Sequence, residues 1–187
     1  QSLLAGKHTF TEKPMATSVE ECQRLVDLAA DNHLTLMVGH TFIYSAPVRH
    51  IESMIRTGDL GEIYYISSRR LNLGIFQSDI NVAWDLAPHD ISIILYFLKE
   101  MPVAVNCQGK RHLNHHEDIT NISIDFEGGS FATIQSSWLD PNKIREMTIV
   151  GSKKMVVYDD TQSNEKIKIY DKRVETRLFM RHDDGVW

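Results

Sequence analysis

"HTFTEKPMATSVEECQRLVDLAADNHLTLMVGH", His8 to His40, decides the architecture of the first part of the chain. Its middle reads as an amphipathic helix, with Cys22, Leu25, Val26 and Ala29 on one stripe. Ser18, with Glu21 three residues on, forms a capping box. "TLMVGH" is a short apolar run closed by glycine, the pattern of a buried parallel strand. "HTFTEKPM" is a second short strand, broken by Pro14. Strand, helix and strand in this compass make one βαβ unit, the end of a doubly wound α/β domain.

Outward from it, "APVRHIESMIRTG" predicts a helix. Pro47 suits its first turn, Val48, Ile51, Met54 and Ile55 form its stripe, and Gly58 can end it. "GEIYYISSRRLNL" reads as a strand and "DLAPHDISIILYFLK" as a well-buried helix. From residue 102 the repeat shortens to two. Ile122, Ile124 and Phe126 alternate with polar residues, as do Ala132, Ile134, Ser136 and Trp138, and then Ile167 with Ile169. "EGGS" is a hairpin turn signal. Residues 41–187 are therefore expected to form a separate α+β domain: a large, mostly antiparallel open sheet with helices on one face. Both ends read as cut. The opening βαβ unit has no earlier strands to pair with, and the chain stops at Trp187 without a closing element.

The chain has 187 residues, a net charge of −5 and only two cysteines, Cys22 and Cys107, outside any CxxC pair. These give no electrostatic reason to expect nucleic acid or a membrane surface as partner, and they suit a reducing cytoplasm. No apolar run approaches the ~20 residues that span a bilayer.

"NVAWDLAPHD" places Asp85 four residues before His89, with Pro88 between them. With Asp85 as N-cap, Pro88 falls in the first turn, where its missing donor costs nothing. The two side chains then project toward one space, and the positive helix end keeps the imidazole neutral and able to exchange a proton. The same spacing is also met by a capping Asp and a histidine packed under a sheet. In "TEKPM", Lys13 before Pro14 is held extended at a strand end, which in an open α/β sheet faces the ligand crevice. A surface lysine in a turn explains that stretch equally. His40 and Tyr44 follow the next strand, and Arg69, Arg70 and Asn72 end another. "RHLNHHED" gathers His112, His115, His116, Glu117 and Asp118, but fits no zinc spacing and reads as a solvated loop. No GxGxxG or GxSxG occurs.

Taken in order, "AGKHTFTEKPMA", "LMVGHTFIYSAPVR", "GEIYYISSRRLN", "WDLAPHDISIIL" and "SSWLDPNKIREMTIVGSKK" resemble the Gfo/Idh/MocA oxidoreductases along essentially the whole chain. The resemblance implies a Rossmann domain that binds NAD or NADP, of which 1–40 is the last βαβ portion, followed by the α+β domain. It implies hydride transfer between the nicotinamide and a carbon of a sugar, nucleotide sugar or cyclitol. By motif match, Lys13 binds the reacting hydroxyl, His89 is the general base or acid, and Asp85 positions substrate or imidazole. Glu12, Lys13, Pro14 and His40 match the cofactor side; Tyr44, Asn72 and Trp84 match the substrate side. The Lys13–Pro14 bond is expected to be cis, Lys13 and His89 to share one cleft, and the open sheet to join subunits of a homo-oligomer. The family's Gly-rich fingerprint is missing, and Ile43 stands where many members carry an arginine. The chain thus reads as an internal fragment, inactive alone. Two other readings compete: a non-enzymatic module that self-associates through a partly apolar sheet face or binds a sugar, and a metal enzyme built on His112 to Asp118.

Overall fold

A computed structural model describes residues 1–74, 76–113 and 115–171; the expectation of a cut C-terminus falls on 172–187, outside the described residues. β1 (Thr9–Thr11) and β2 (Leu36–Val38) pair in parallel, Thr9 opposite Leu36, and α1 (Val19–Asp31) connects them. Ser18 caps α1, its hydroxyl accepting from the Glu21 N–H at 3.2 Å. The Glu21 carboxylate turns back one residue further than expected, accepting from the N–H and hydroxyl of Thr17. Two strands give α1 little to pack on. Only Ala29 of its stripe is buried, and Val26 is 47% exposed. Gly39, which follows β2, is closely approached: a Cβ there would lie 3.0 Å from the Phe10 ring and 3.2 Å from the Glu12 carboxylate, both ends of exposed side chains.

The second sheet has seven strands: β3 (Ile63–Leu73), β4 (Pro102–Lys110), β5 (Ile119–Phe126), β6 (Phe131–Ser137), β7 (Leu139–Gly151), β8 (Met155–Asp159) and β9 (Ile167–Tyr170). Their spatial order is β4-β5-β6-β3-β7-β8-β9. Only the β3–β6 pair is parallel. Alternation decides the faces, as the sequence implies. Ile66, Ile134, Met147, Ile149 and Val156 point inward and pack against α2 (Ala46–Arg56) and α3 (Val82–Leu98). Each such side chain removed from water contributes roughly 1.5–3 kcal/mol. The core closes α2 with Val48 and Ile51, both fully buried, and Gly58 ends that helix at φ 75°.

Two expectations need correction, and a third, the partly apolar outward sheet face, holds at one end of the sheet. First, α3 begins at Val82, not at Asp85. Asn81 is its N-cap, accepting from the Trp84 N–H at 2.9 Å, so Asp85 lies in the first turn and Pro88 in the interior. Pro88 leaves the Trp84 carbonyl without its intrahelical donor. The helix continues because Ile93, Ile94 and Phe97 beyond it are buried. Second, β7 does not wait for Arg145. It starts at Leu139 and passes through Pro141, which falls where β7 leaves the β3 register between Leu139 and Ile144. No ladder donor is needed there. Third, the outward sheet face is largely polar. Ser67, Thr133 and Ser123 form one row across it, and Arg69, Gln135 and Asn121 the next. Exposed aromatics gather at one end, where Tyr65 stands opposite Phe131. Among the described residues no helix is long and apolar enough to cross a membrane.

Candidate active site

The end of β1 delivers Lys13 to the first turn of α3. Lys13 Nζ donates to Asp85 Oδ1 at 2.9 Å and also to the Asp85 carbonyl, and the Lys13–Pro14 bond is cis, as the resemblance implies. The second carboxylate oxygen is taken as well: Trp138 Nε1 donates to Asp85 Oδ2 at 3.2 Å. Trp138 sits between β6 and β7 and is 1% exposed, with Phe76 edge-on to its ring. Asp85 was expected to orient the imidazole or the substrate. Its carboxylate is instead held by an ammonium and an indole, and makes no hydrogen bond to His89 among the described residues.

His89 lies one turn further along α3. Its Nδ1 is buried without a hydrogen-bond partner, and its ring meets Phe42 edge-on at 4.9 Å. The Arg70 guanidinium stacks on Phe42 at 4.7 Å and grips Asp90 with two bonds of 2.8 and 3.1 Å. Burial first, then the positive charges of Arg70 and Lys13, push the His89 pKa down to about 4. The imidazole is neutral at pH 7, as expected, but not because of the helix end. His89 stands beyond the first turn, and desolvation dominates.

Two hollows flank this turn of α3, where one shared cleft was expected. The larger, about 850 Å³, is lined by Lys13, Pro14, His40, Trp84 and Pro88 among others. The smaller, about 190 Å³, holds His89 with Phe42, Arg70, Asn72, Lys143 and Arg145. Helical periodicity explains the division. Ala83, Trp84, Ala87, Pro88 and Ile91 face one side of α3, while Leu86 and His89 face the other. The two candidates are still neighbours. Asp85, which holds Lys13, is four residues from His89, about 6 Å along the helix axis.

The remaining predicted residues divide. His40 lines the larger hollow with Nδ1 buried and unpartnered, and burial lowers its pKa. Trp84 lines it too, but spends its indole N–H on the Ala16 carbonyl at 3.1 Å. Asn72 joins His89. Tyr44 does not reach either hollow: it is 52% exposed under the Arg49 guanidinium. Glu12 is exposed beside Gly39, outside both hollows. Ile43, where the family often has arginine, lines the larger one. The sequence reading missed Trp138, Asp90 and Phe42 as supports. A carboxylate on an otherwise apolar helix was a usable signal for Asp90; nothing local marks Trp138. The histidine-rich loop is closed by Asp118, whose fully buried carboxylate accepts from the His112 and Leu113 N–H groups at 2.7 and 2.8 Å and meets His112 Nδ1 at 2.9 Å. Among the described residues no three His, Cys, Asp or Glu side chains group to hold a metal.

The site thus joins a lysine at the end of a βαβ unit to a half-buried, neutral histidine one helix turn away on the α+β domain. Residues 1–40 match the family described as "oxidoreductase family, NAD-binding Rossmann fold", and 48–157 match the "GFO/IDH/MocA C-terminal domain". The chain belongs to the Gfo/Idh/MocA family. Among its relatives, the UDP-N-acetylglucosamine 3-dehydrogenase of Acidithiobacillus ferrooxidans is 27% identical over 149 residues, 79% of this chain and 46% of that protein. The solved structure of the enzyme of that name from the same organism superposes with a TM-score of 0.74 at 25% identity, covering 91% of this chain and 55% of the other. The WlbA dehydrogenase from Bordetella pertussis, solved with NADH and UDP-GlcNAcA, shares the fold with a TM-score of 0.81 at 19% identity, over 94% of this chain and 55% of its own. The chain spans about half the length of these relatives.

Proposed function

We propose that this chain carries the substrate side of an NAD(P)-dependent oxidoreductase that moves hydride between a nicotinamide and a hydroxyl-bearing carbon of a sugar, nucleotide sugar or cyclitol. The observation that carries the reading is the Lys13–Asp85–Trp138 arrangement one helix turn from an imidazole with a free, buried Nδ1. Two relatives are named for substrates of these classes, a UDP-N-acetylglucosamine 3-dehydrogenase and an inositol 2-dehydrogenase. The larger hollow fits the nicotinamide end of a dinucleotide: it is mostly apolar, it lies at the ends of β1 and β2, and the unpartnered His40 Nδ1 offers it one polar contact. Pro14, His40 and Lys13 would hold it there, and when bound it supplies or accepts the hydride.

The chain's own residues manage the proton. Lys13, held by Asp85, donates to the reacting hydroxyl and stabilises the oxygen as its proton leaves. Asp85, fixed at both oxygens, holds and aims the ammonium. His89, neutral at pH 7, takes or returns the proton from the ring edge that lines the smaller hollow. Asn72 faces the substrate from the His89 side and Trp84 from the cofactor side. The 187 residues hold no Gly-rich loop to cradle a pyrophosphate, so NAD(P)H turnover is expected from, and tested in, a protein that carries a complete nucleotide domain upstream of Gln1. Near-full turnover after Lys13→Ala and His89→Ala in that protein would remove the assignment.

The outward sheet face supports a homo-oligomer. Phe131, Tyr65 and Tyr170 are 38%, 43% and 39% exposed on it, beside rows of hydroxyls and amides able to pair with a second copy. Light scattering that shows a strict monomer counts against this.

A further inference from the structure

The hollow beside His89 holds charge that the hydride-transfer reading leaves unused. Arg70, Lys143 and Arg145 line it, and among the described residues no carboxylate does. Arg70 is neutralised by Asp90. Arg145 shares Asp160 at 3.5 Å with Lys166, which holds the same carboxylate at 2.8 Å. Lys143 has no ion pair or hydrogen bond among the described residues. The irregular stretch of β7 around Pro141 brings it to the rim.

A neutral polyol fits this lining poorly. Each hydroxyl both donates and accepts, and guanidinium and ammonium groups only donate. Among the uncharged polar side chains of the lining, Asn72 can meet a hydroxyl proton, while the His89 Nδ1 is buried. Lys143, the lining cation with no carboxylate partner among the described residues, matches an oxyanion as a point charge, and Arg145, held by Asp160 at only 3.5 Å, can add a guanidinium contact.

We propose that this hollow is a subsite for an oxyanion borne by the substrate, a carboxylate or a phosphate, seated on Lys143 and Arg145 with the sugar ring against His89. This rests on the oxidoreductase reading of the same site. A negative charge seated beside the ring favours its protonated form, so a charged substrate makes His89 a better base than a neutral one does.

The test is binding of glucuronate, glucose 6-phosphate and glucose to the 187-residue chain, followed by amide and imidazole NMR shifts. At least one anion is expected to bind about tenfold tighter than glucose, the worth of one charge-assisted contact. It should shift Lys143, Arg145 and the His89 ring, and weaken with added salt. Whichever anion binds tighter names the source, carboxylate or phosphate. Lys143→Met, at an exposed residue with no partner, is expected to weaken the anion about tenfold and leave glucose unchanged. The proposal is overturned when glucose binds as tightly as both anions, when Lys143→Met weakens all three alike, or when none binds. Turnover is read separately in the protein with a complete nucleotide domain. Preference for neutral sugars there removes the subsite and keeps the oxidoreductase. Lys143-dependent anion binding without turnover of any sugar does the reverse.

Discussion

Replacing His89 by Gln should flatten the acid side of the stability profile. The ordinary histidine pKa of 6.5 applies to the unfolded chain, and the folded imidazole is held down to about 4. Above 6.5 neither state carries the proton, and His89 contributes no pH dependence. As pH falls through 6.5 the unfolded chain takes up the proton while the folded chain does not, so unfolding is favoured. Stability drops across the window from 6.5 to about 4 and is level below it, as far as this group is concerned. At 1.36 kcal/mol per pH unit, that gap bounds the loss at about 3 kcal/mol. Solvent screening at a half-buried ring brings it to about 1–2 kcal/mol. Asp118, Asp159 and Asp160 have pKa values lowered from 3.8, so the stability they add is lost below this window. The assay is urea unfolding at steps between about pH 5 and 8, with the His89 ring titrated by NMR. The wild type should lose stability toward pH 5. His89→Gln should keep the slope due to His40, whose pKa burial also lowers, and near pH 5 that due to Glu21 and Glu52, whose pKa values hydrogen bonds from Thr17 and Lys99 lower from 4.5. A ring midpoint at or above 6.5, or equal slopes in the two proteins, refutes the reasoning.

Asp90→Asn leaves the Arg70 guanidinium buried without a counter-charge, and should cost about 3–5 kcal/mol in urea unfolding. The double change Arg70→Met with Asp90→Leu should cost clearly less. Trp138→Phe removes the donor to Asp85 Oδ2 and should cost about 1–2 kcal/mol in thermal unfolding. It should also lower kcat more than it raises KM once a nucleotide domain is present. In that protein Lys13→Met should lower kcat by about 10²–10⁴-fold, as loss of a proton-handling group does, with cofactor affinity changed far less. Pre-steady-state hydride transfer measures it.

The elements were legible because their patterns are local. The stripe Val48, Ile51, Met54 and the alternation Ile122, Ile124, Phe126 each state a period and a buried face, and both faces are buried as read. The start of α3 was misplaced because Asn81 and Asp85 are both good caps, and only tertiary packing lets the helix run through Pro88. The site was half legible. Lys13, Asp85 and His89 carry their motifs with them. Which partner Asp85 chooses depends on Trp138, 53 residues away, and no spacing rule announces that. The division into two hollows follows from helix phase once α3 starts at Val82; with the start misjudged, Lys13 and His89 seemed to share a wall. Tyr44 was read from its nearness to β2, but the short 3-10 turn Thr41–Tyr44 carries its ring out to Arg49.

The bond from Lys13 to Asp85 also ties the two-stranded sheet to the seven-stranded one, helped by Trp84 on the Ala16 carbonyl. The fastener between the two parts is thus the same ammonium proposed to meet the reacting oxygen. On the proposed mechanism, any variant that moves this ammonium for the sake of a tighter junction also moves the group meant to meet the substrate, so the stability of the seam and turnover are expected to change together.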